Sequence, residues 1–173
     1  LVDRMQKEGH PTEYLKYPLY HIEPTGPIIN DYLRDGNTHN LTPREFQLMN
    51  VFNRMQYDSE LRKTLAQGTH VVAENYVGSG IAWGTGSGLD QIFLERLNTP
   101  LHAEDLVFLF DGTRFTESVE KTHTFETNPE LTKKAQVVYR ELAERNHWNI
   151  INANDSIPAI HERIFADTVV ALQ

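Results

Sequence analysis

The sequence predicts an α/β protein: a three-layer, doubly wound parallel sheet with helices on both faces. Apolar segments of strand length alternate with segments of helical periodicity along the 173 residues, the order that parallel βαβ units produce. Residues 106–110 are apolar at every position, as in a strand buried on both faces of a parallel sheet. The length suits a single domain over residues 1–173.

The composition is that of an ordinary folded domain and excludes several classes of protein. Hydrophobic residues make up 39% and charged residues 23% of the chain, which is typical of globular proteins. The formal net charge of -8 argues against a nucleic-acid partner, which needs a basic surface. No apolar run approaches the roughly 20 residues that cross a bilayer, so no membrane partner is expected. Cysteine is absent, which excludes disulfides and thiolate metal sites and fits a cytoplasmic location.

The first half of the chain is expected to contain three helices and two strands. The strongest signal is Thr42-Pro43-Arg44-Glu45, a capping box with proline in the first helical position. Glycine ends the first and third of these helices, and Pro18 ends the first strand. The expected helices cover residues 1–9, 28–33 and 42–67, and the expected strands cover residues 13–17 and 70–73.

The second half continues the alternation. Asn128-Pro129 and Ser156 are helix-start signals. Residues 111–127 are polar and without a steady period, so this segment is expected to be a mobile loop or a short lid. The expected helices cover residues 89–97 and 130–145 and a last helix begins at 156, and the expected strands cover residues 106–110 and 148–151.

The glycine-rich stretch at residues 78–88 has two interpretations. It is either a flexible loop or a segment whose backbone approaches a ligand closely, which a residue without a side chain permits. It does not match a phosphate-binding loop, because no Gly-Lys-Ser/Thr follows.

Polar residues follow three of the predicted strands. In an open parallel sheet the ligand binds beyond the carboxyl ends of the strands, so these groups are expected to meet at one edge. Taken alone, a carboxylate after a strand is more often a cap or loop residue than a catalyst. The groups are Lys16-Tyr17-Pro18, Glu74-Asn75-Tyr76, and Asp111 with Arg114.

Arg54 and the histidines need separate consideration. Arg54 lies inside the long predicted helix beside Asn53. It is either a solvated or ion-paired arginine or a planar donor fork for a base edge or a phosphate. The eight histidines are scattered, with no pair at metal-ligand spacing, so they are interpreted as surface or core residues.

The order of these features resembles the thymidylate kinase family over essentially the whole chain. Tyr17-Pro18 stands where the family has phenylalanine-proline, and Asn53-Arg54 matches its asparagine/aspartate-arginine in helix three. No single motif is strong, but the colinear series is specific. The other segments that carry the resemblance are residues 24–33, Gln67-Gly68, residues 72–83 and residues 151–157.

The resemblance implies Mg²⁺-dependent transfer of the ATP γ-phosphoryl group to dTMP, with ATP and a nucleoside monophosphate as partners. It assigns the catalytic positions to Glu74 and Arg114, with Glu74 holding Mg²⁺ through water. It assigns the substrate-binding positions to Tyr17, Pro18, Asn50, Arg54, Asn75, Tyr76, Ser79, Gly80 and Trp83. It assigns the ATP and adenine positions to Arg114, Asn152, Ala153 and Asn154.

The sequence departs from the family in several places. The family opens with a strand and a Gly-x-x-Gly-x-Gly-Lys-Ser/Thr loop, and this sequence is expected to start just after them. Glu74-Asn75 replaces the family's aspartate-arginine, and Asn50 occupies its base-stacking position. Arg114, from the predicted lid, is the candidate for the charge that Asn75 lacks.

Two alternatives follow from these departures: a kinase for another deoxynucleoside or monophosphate, and an inactive nucleotide-binding relative with a regulatory or partner-binding role. A homodimer is also expected from the resemblance. The stripe Phe46, Met49, Phe52 and Met55 is either its interface or ordinary core.

Overall fold

The computed structural model describes residues 1–113, 123–125 and 127–172. Seven helices and four strands occupy these residues. The helices are α1 (Val2–Lys7), α2 (Thr25–Arg34), α3 (Pro43–Ala66), α4 (Val77–Gly86), α5 (Gln91–Asn98), α6 (Pro129–Arg145) and α7 (Ile157–Ala171). The strands are β1 (Thr12–Lys16), β2 (His70–Glu74), β3 (Phe108–Asp111) and β4 (Asn149–Asn152). Each helix of this described part is too short or too polar to span a bilayer.

The strands confirm the predicted parallel α/β fold. β1 pairs with β2 in parallel, and β3 pairs with β4 in parallel. Within the described residues these are two separate hydrogen-bonded pairs. The register sets Lys16 beside Glu74 and Asp111 beside Asn152, so the polar residues at the carboxyl ends lie side by side within each pair.

The long helix α3 is built as its sequence predicts. The Thr42 side chain accepts from the Glu45 N–H, and the Glu45 carboxylate accepts from the Thr42 N–H at 2.8 Å. These reciprocal bonds satisfy two of the donors that a helix start leaves without partners. The helix then packs against α2, α4, α5 and β2, which makes it the wall on which the candidate site is built.

The glycine-rich stretch forms a helix, α4, so its interpretation as a flexible loop is wrong. Tertiary packing overrides the low helix propensity of glycine here. A Cβ on Gly78 would lie 2.6 Å from the Trp148 ring, and one on Gly84 would lie 2.7 Å from Leu94. The glycines therefore let neighbouring side chains approach the axis of α4 closely.

Three clusters of buried side chains form the core. One lies between the β1–β2 pair and α3 and includes Leu15, Val51 and Tyr76. A second joins α4, α5 and α6, and a third joins α2 and α3 through Ile29, Phe46 and Phe125. The predicted apolar stripe of α3 is therefore divided: Phe46 is 2% exposed, whereas Phe52 is 47% exposed.

Candidate functional site: a pocket between α3, α4 and the β1–β2 edge

A cavity of about 340 Å³ opens where β1 and β2 end and runs between α3 and α4. Nearly all of the residues expected to bind substrate line it. The predicted substrate-binding residues that line it are Tyr17, Pro18, Asn50, Arg54, Asn75, Ser79, Gly80 and Trp83, and the predicted catalytic residue Glu74 lines it with them. The sequence prediction that these side chains, distant along the chain, share one hollow therefore matches the structure.

Arg54 occupies the inner wall of the pocket and is 4% exposed. Its Nη2 donates to the Tyr76 carbonyl at 2.9 Å, and its Nη1 donates to Asn98 Oδ1 at 3.4 Å. Its Nε is buried and has no hydrogen-bond partner among the described residues. Burial lowers the pKa of this guanidinium to about 10, so it is still charged at neutral pH. A buried, partly satisfied cation favours a ligand that presents acceptor oxygens.

Because Gly80 has no side chain, the Arg54 guanidinium can lie between α3 and α4. A Cβ at this position would be 3.0 Å from Arg54 Nη1 and 3.4 Å from Gln47 Oε1. Gln47 is 3% exposed and also lines the pocket. The sequence left open that this glycine-rich backbone approaches a ligand closely; in the structure the group that approaches Gly80 is the Arg54 guanidinium.

Glu74 lies at the outer edge, at the end of β2. Lys16 Nζ is 2.8 Å from its Oε1, and the Tyr14 hydroxyl donates to its Oε2. Burial acts to raise the pKa of the Glu74 carboxyl, but the hydrogen bonds from Lys16 and Tyr14 outweigh it, and the pKa lies below its usual value. Glu74 is therefore a carboxylate at neutral pH, with a lysine beside it.

Asn75 turns the chain from β2 into α4. It has a φ of 61°, in the left-handed region that asparagine tolerates better than most residues. Its Oδ1 accepts from Ser79 Oγ at 3.5 Å. Tyr139 of α6 lies behind Ser79 and Trp83, and burial raises the pKa of its phenol. This wall of the pocket is neutral and polar.

Aromatic rings form the remaining wall. Trp83 stacks on Phe125, with ring centroids 5.2 Å apart and an interplanar angle of 19°. Phe125 in turn meets Phe46 edge to face at 5.5 Å. Tyr17 is 1% exposed, and burial raises the pKa of its phenol. Flat apolar walls of this kind suit a planar base.

Asn53 holds the loop after β1 against α3, a role that sequence reasoning missed. It is fully buried, and its carboxamide accepts from the Leu19 N–H at 2.8 Å. The same carboxamide donates to the Leu19 carbonyl at 3.0 Å and to Thr25 Oγ1 at 2.9 Å. Asn53, which precedes the predicted substrate-binding residue Arg54, is thus a positioning residue. It fixes the loop that carries Tyr17 and Tyr20.

Several further pocket residues were also missed, among them Gln47 and Arg34. Gln47 stands three residues before Asn50 and seven before Arg54 on α3, so the three share one helical face. That polar spacing was visible in the sequence. Arg34, at the end of α2, lines the pocket from the other side, and no local pattern singles it out.

Some predicted residues lie elsewhere. The Tyr76 side chain points into the core, where its hydroxyl donates to the His102 carbonyl at 3.0 Å. Its backbone carbonyl accepts from Arg54, and its ring centroid lies 6.0 Å from the Arg54 guanidinium carbon. Asn152, Ala153 and Asn154 lie at the end of β4 beside Asp111, where the Ala153 N–H donates to the Asp111 carbonyl at 2.8 Å. Arg114 and Lys121 of the predicted lid lie outside the described residues.

The comparisons with known proteins agree on one family. The family model "Thymidylate kinase" matches residues 1–164. A thymidylate kinase from Dictyostelium discoideum is 31% identical over 159 residues, covering 89% of this chain and 69% of the relative. One from Arabidopsis thaliana is 28% identical over 158 residues, covering 90% of this chain and 59% of the relative.

A solved structure is similar in fold. The thymidylate kinase of Candida albicans, an enzyme of broad substrate specificity, superposes with a TM-score of 0.80 at 18% identity. The match covers 99% of this chain and 86% of that chain.

Proposed function

The chain belongs to the thymidylate kinase family, and we propose that its pocket binds dTMP as the acceptor of the ATP γ-phosphoryl group. Enzymes of this family are ATP-dependent nucleoside monophosphate kinases, with ATP as co-substrate. The sequence left open a kinase for another acceptor and an inactive nucleotide-binding relative; the family match and the named relatives favour neither. A cytoplasmic location stays a prediction from the sequence.

The observation that carries the proposal is the convergence of Tyr17, Arg54, Glu74 and Trp83 on one pocket at the carboxyl ends of β1 and β2. The pocket has an apolar aromatic wall, a buried cation at its inner end and a carboxylate at its mouth. A nucleoside monophosphate has the complementary layout: a flat base with acceptor oxygens at one end and a phosphate at the other.

We assign the base to the inner end and the acceptor phosphate to the mouth. Arg54 would donate to a base oxygen, and Trp83 and Tyr17 would enclose the rings. Gln47 and Asn50 would face the base edge from α3. Phosphoryl transfer needs little covalent chemistry from the protein, because positioning and charge neutralisation provide most of the rate. Arg114 remains the sequence-based candidate for a lid arginine.

Glu74 is the residue that would hold Mg²⁺. Among the described residues no three acidic or histidine side chains gather into a metal cluster. A single carboxylate still fits this ion, because Mg²⁺ in kinase sites is bound by one or two carboxylates together with phosphate oxygens and water. The ion supplies neutralisation of charge on the transferring group when bound. The Lys16 ammonium beside Glu74 would orient the carboxylate.

A coupled ADP-release assay on the full-length gene product tests the proposal. Thymidine, dTMP, dUMP, dCMP and dGMP would be offered with ATP and Mg²⁺. The expected result is the highest kcat/KM for dTMP and a KM for dTMP that rises at least roughly 10-fold in Arg54→Ala. Turnover that is highest with another acceptor, or no turnover with any, would refute it.

We also propose a homodimer, supported by an exposed apolar stripe on α3. Leu48, Phe52 and Met55 are 39%, 47% and 49% exposed and stand at i, i+4 and i+7. An exposed stripe of this kind marks an interaction surface. Light scattering on a size-exclusion column is expected to give twice the monomer mass, and Phe52→Glu is expected to halve it. Val170→Glu, on exposed α7, is the matched control; equal masses for the two variants would contradict this interface.

A further inference from the structure

We infer that Gln47 determines which base the pocket accepts. Its carboxamide oxygen accepts the N3–H of thymine while Arg54 donates to the neighbouring O4, and together they select a keto base over an amino base. The inference rests on the proposed function, since it names the side chain that sets acceptor selectivity within the same pocket.

The Gln47 side chain is buried in the wall of the pocket, but its polar atoms have no partner. It is 3% exposed and lines the pocket, and its carboxamide makes no hydrogen bond with any other residue that the structure describes. The other two buried carboxamides of the described chain are satisfied: Asn53 donates to the Leu19 carbonyl at 3.0 Å, and Asn98 donates to the Leu94 carbonyl at 2.8 Å. A buried amide without a partner costs free energy, so a ligand that pairs with Gln47 removes this cost.

The Gln47 oxygen lies close to the Arg54 guanidinium at the inner end of the pocket. A Cβ on Gly80 would be 3.0 Å from Arg54 Nη1 and 3.4 Å from Gln47 Oε1, so a donor and an acceptor flank the same point on α4. Arg54 donates elsewhere, to the Tyr76 carbonyl and to Asn98. A base edge that enters here therefore meets a donor and an acceptor side by side.

Only some bases match this pair. A guanidinium has donors and no acceptor, so the base atom that faces Arg54 must be an acceptor. Thymine presents its O4 acceptor beside its N3–H donor, which match Arg54 and Gln47 in turn. In the same orientation cytosine places its amino donor against Arg54 and leaves both unpaired. Guanine has the thymine arrangement at O6 and N1–H, so Gln47 distinguishes keto bases from amino bases rather than pyrimidines from purines.

Calorimetric titration of the full-length gene product with dTMP and with 3-methyl-dTMP tests the inference, because the two ligands differ only in the group on N3. The methyl group removes the donor and occupies the place of the hydrogen bond to Gln47. The unmodified protein is expected to bind 3-methyl-dTMP about 10- to 100-fold more weakly than dTMP. Gln47→Ala removes the acceptor and makes room, so it is expected to raise the Kd for dTMP about 10-fold and to lower the Kd for 3-methyl-dTMP. A partly unfolded variant would weaken both, so opposite shifts also report that the variant is folded.

Base selectivity in turnover is the second readout. The ratio of kcat/KM for dTMP to that for dCMP is expected to fall about 10-fold in Gln47→Ala, since the variant loses a hydrogen bond that dCMP does not make. An unchanged ratio would contradict the role of Gln47 in selecting the base.

Gln91→Ala is the matched control, because the Gln91 side chain donates to Glu95 of its own helix at 3.0 Å and does not line the pocket. It is expected to leave both dissociation constants unchanged. Equal fold-changes for the two ligands in Gln47→Ala, or no change for either, would overturn this inference alone. Failure of the unmodified protein to bind dTMP would overturn the proposed function as well.

Discussion

Asn53 offers the sharpest test of how the pocket is built, because three buried hydrogen bonds pass through one carboxamide. In Asn53→Ala the Leu19 N–H loses its partner. The Leu19 carbonyl keeps the Ile22 N–H at 3.2 Å, and Thr25 Oγ1 keeps Gln56 at 2.5 Å. An orphaned buried donor costs about 1–3 kcal/mol, and each of the two other lost bonds costs about 0.5–1.5 kcal/mol. The expected loss is therefore at least ~2 and centrally about 4 kcal/mol of unfolding free energy.

Urea unfolding followed by circular dichroism measures this loss. With a urea dependence of about 2 kcal/mol per molar, the midpoint is expected to fall by roughly 2 M. Asn50→Ala is the control: it makes the same substitution one turn earlier on α3, where Asn50 donates only to the Phe46 carbonyl of its own helix at 2.9 Å. It is expected to cost less than about 1 kcal/mol. Equal urea midpoints for the two variants would refute the role of Asn53 in holding the loop after β1 against α3.

Three further predictions concern single residues of the pocket. Gly26→Ala is expected to destabilise the protein by about 1–3 kcal/mol, because the alanine Cβ would lie 2.2 Å from the Tyr20 carbonyl oxygen. This clash is expected to outweigh the higher helix propensity of alanine. A raised melting temperature would contradict this. The burial that lowers the pKa of Arg54 to about 10 is expected to lower the pKa of the lysine in Arg54→Lys below its usual value as well. The lysine then loses its charge at a lower pH than the arginine, so dTMP affinity is expected to fall at mildly alkaline pH in the variant while that of the unmodified protein stays constant; identical pH profiles would refute the assignment. Glu74→Gln is expected to raise the Mg²⁺ concentration for half-maximal turnover by about 10-fold or more with dTMP binding unchanged; an unaltered Mg²⁺ dependence would remove Glu74 from the metal site.

Local signals in the sequence predicted most of the fold. The capping box at Thr42 and Glu45 fixes the start of α3 through bonds within four residues, so no tertiary information is needed. Parallel pairing followed from the alternation of strands and helices. The helix α4 was not predictable in this way, because its glycines are explained by side chains distant in sequence, such as Trp148 against Gly78.

The candidate site was predictable where a residue reaches the pocket directly from a motif. Arg54, Glu74 and Trp83 line the pocket as expected. Tyr76 follows the same motif, yet its ring lies in the core beside Tyr17, with centroids 5.1 Å apart. The adjacent residues Asn53 and Arg54 have different roles: Asn53 binds the loop backbone, and Arg54 faces the pocket. Only the three-dimensional contacts distinguish a residue that touches the ligand from one that positions its neighbour.

A crystal structure of the full-length gene product with dTMP tests the central claim most directly. We expect the base between Trp83 and Tyr17 with an oxygen on the Arg54 guanidinium, and the phosphate at the ends of β1 and β2. Nucleotide density in any other cavity, or a base turned outward with its phosphate on Arg54, would contradict the account.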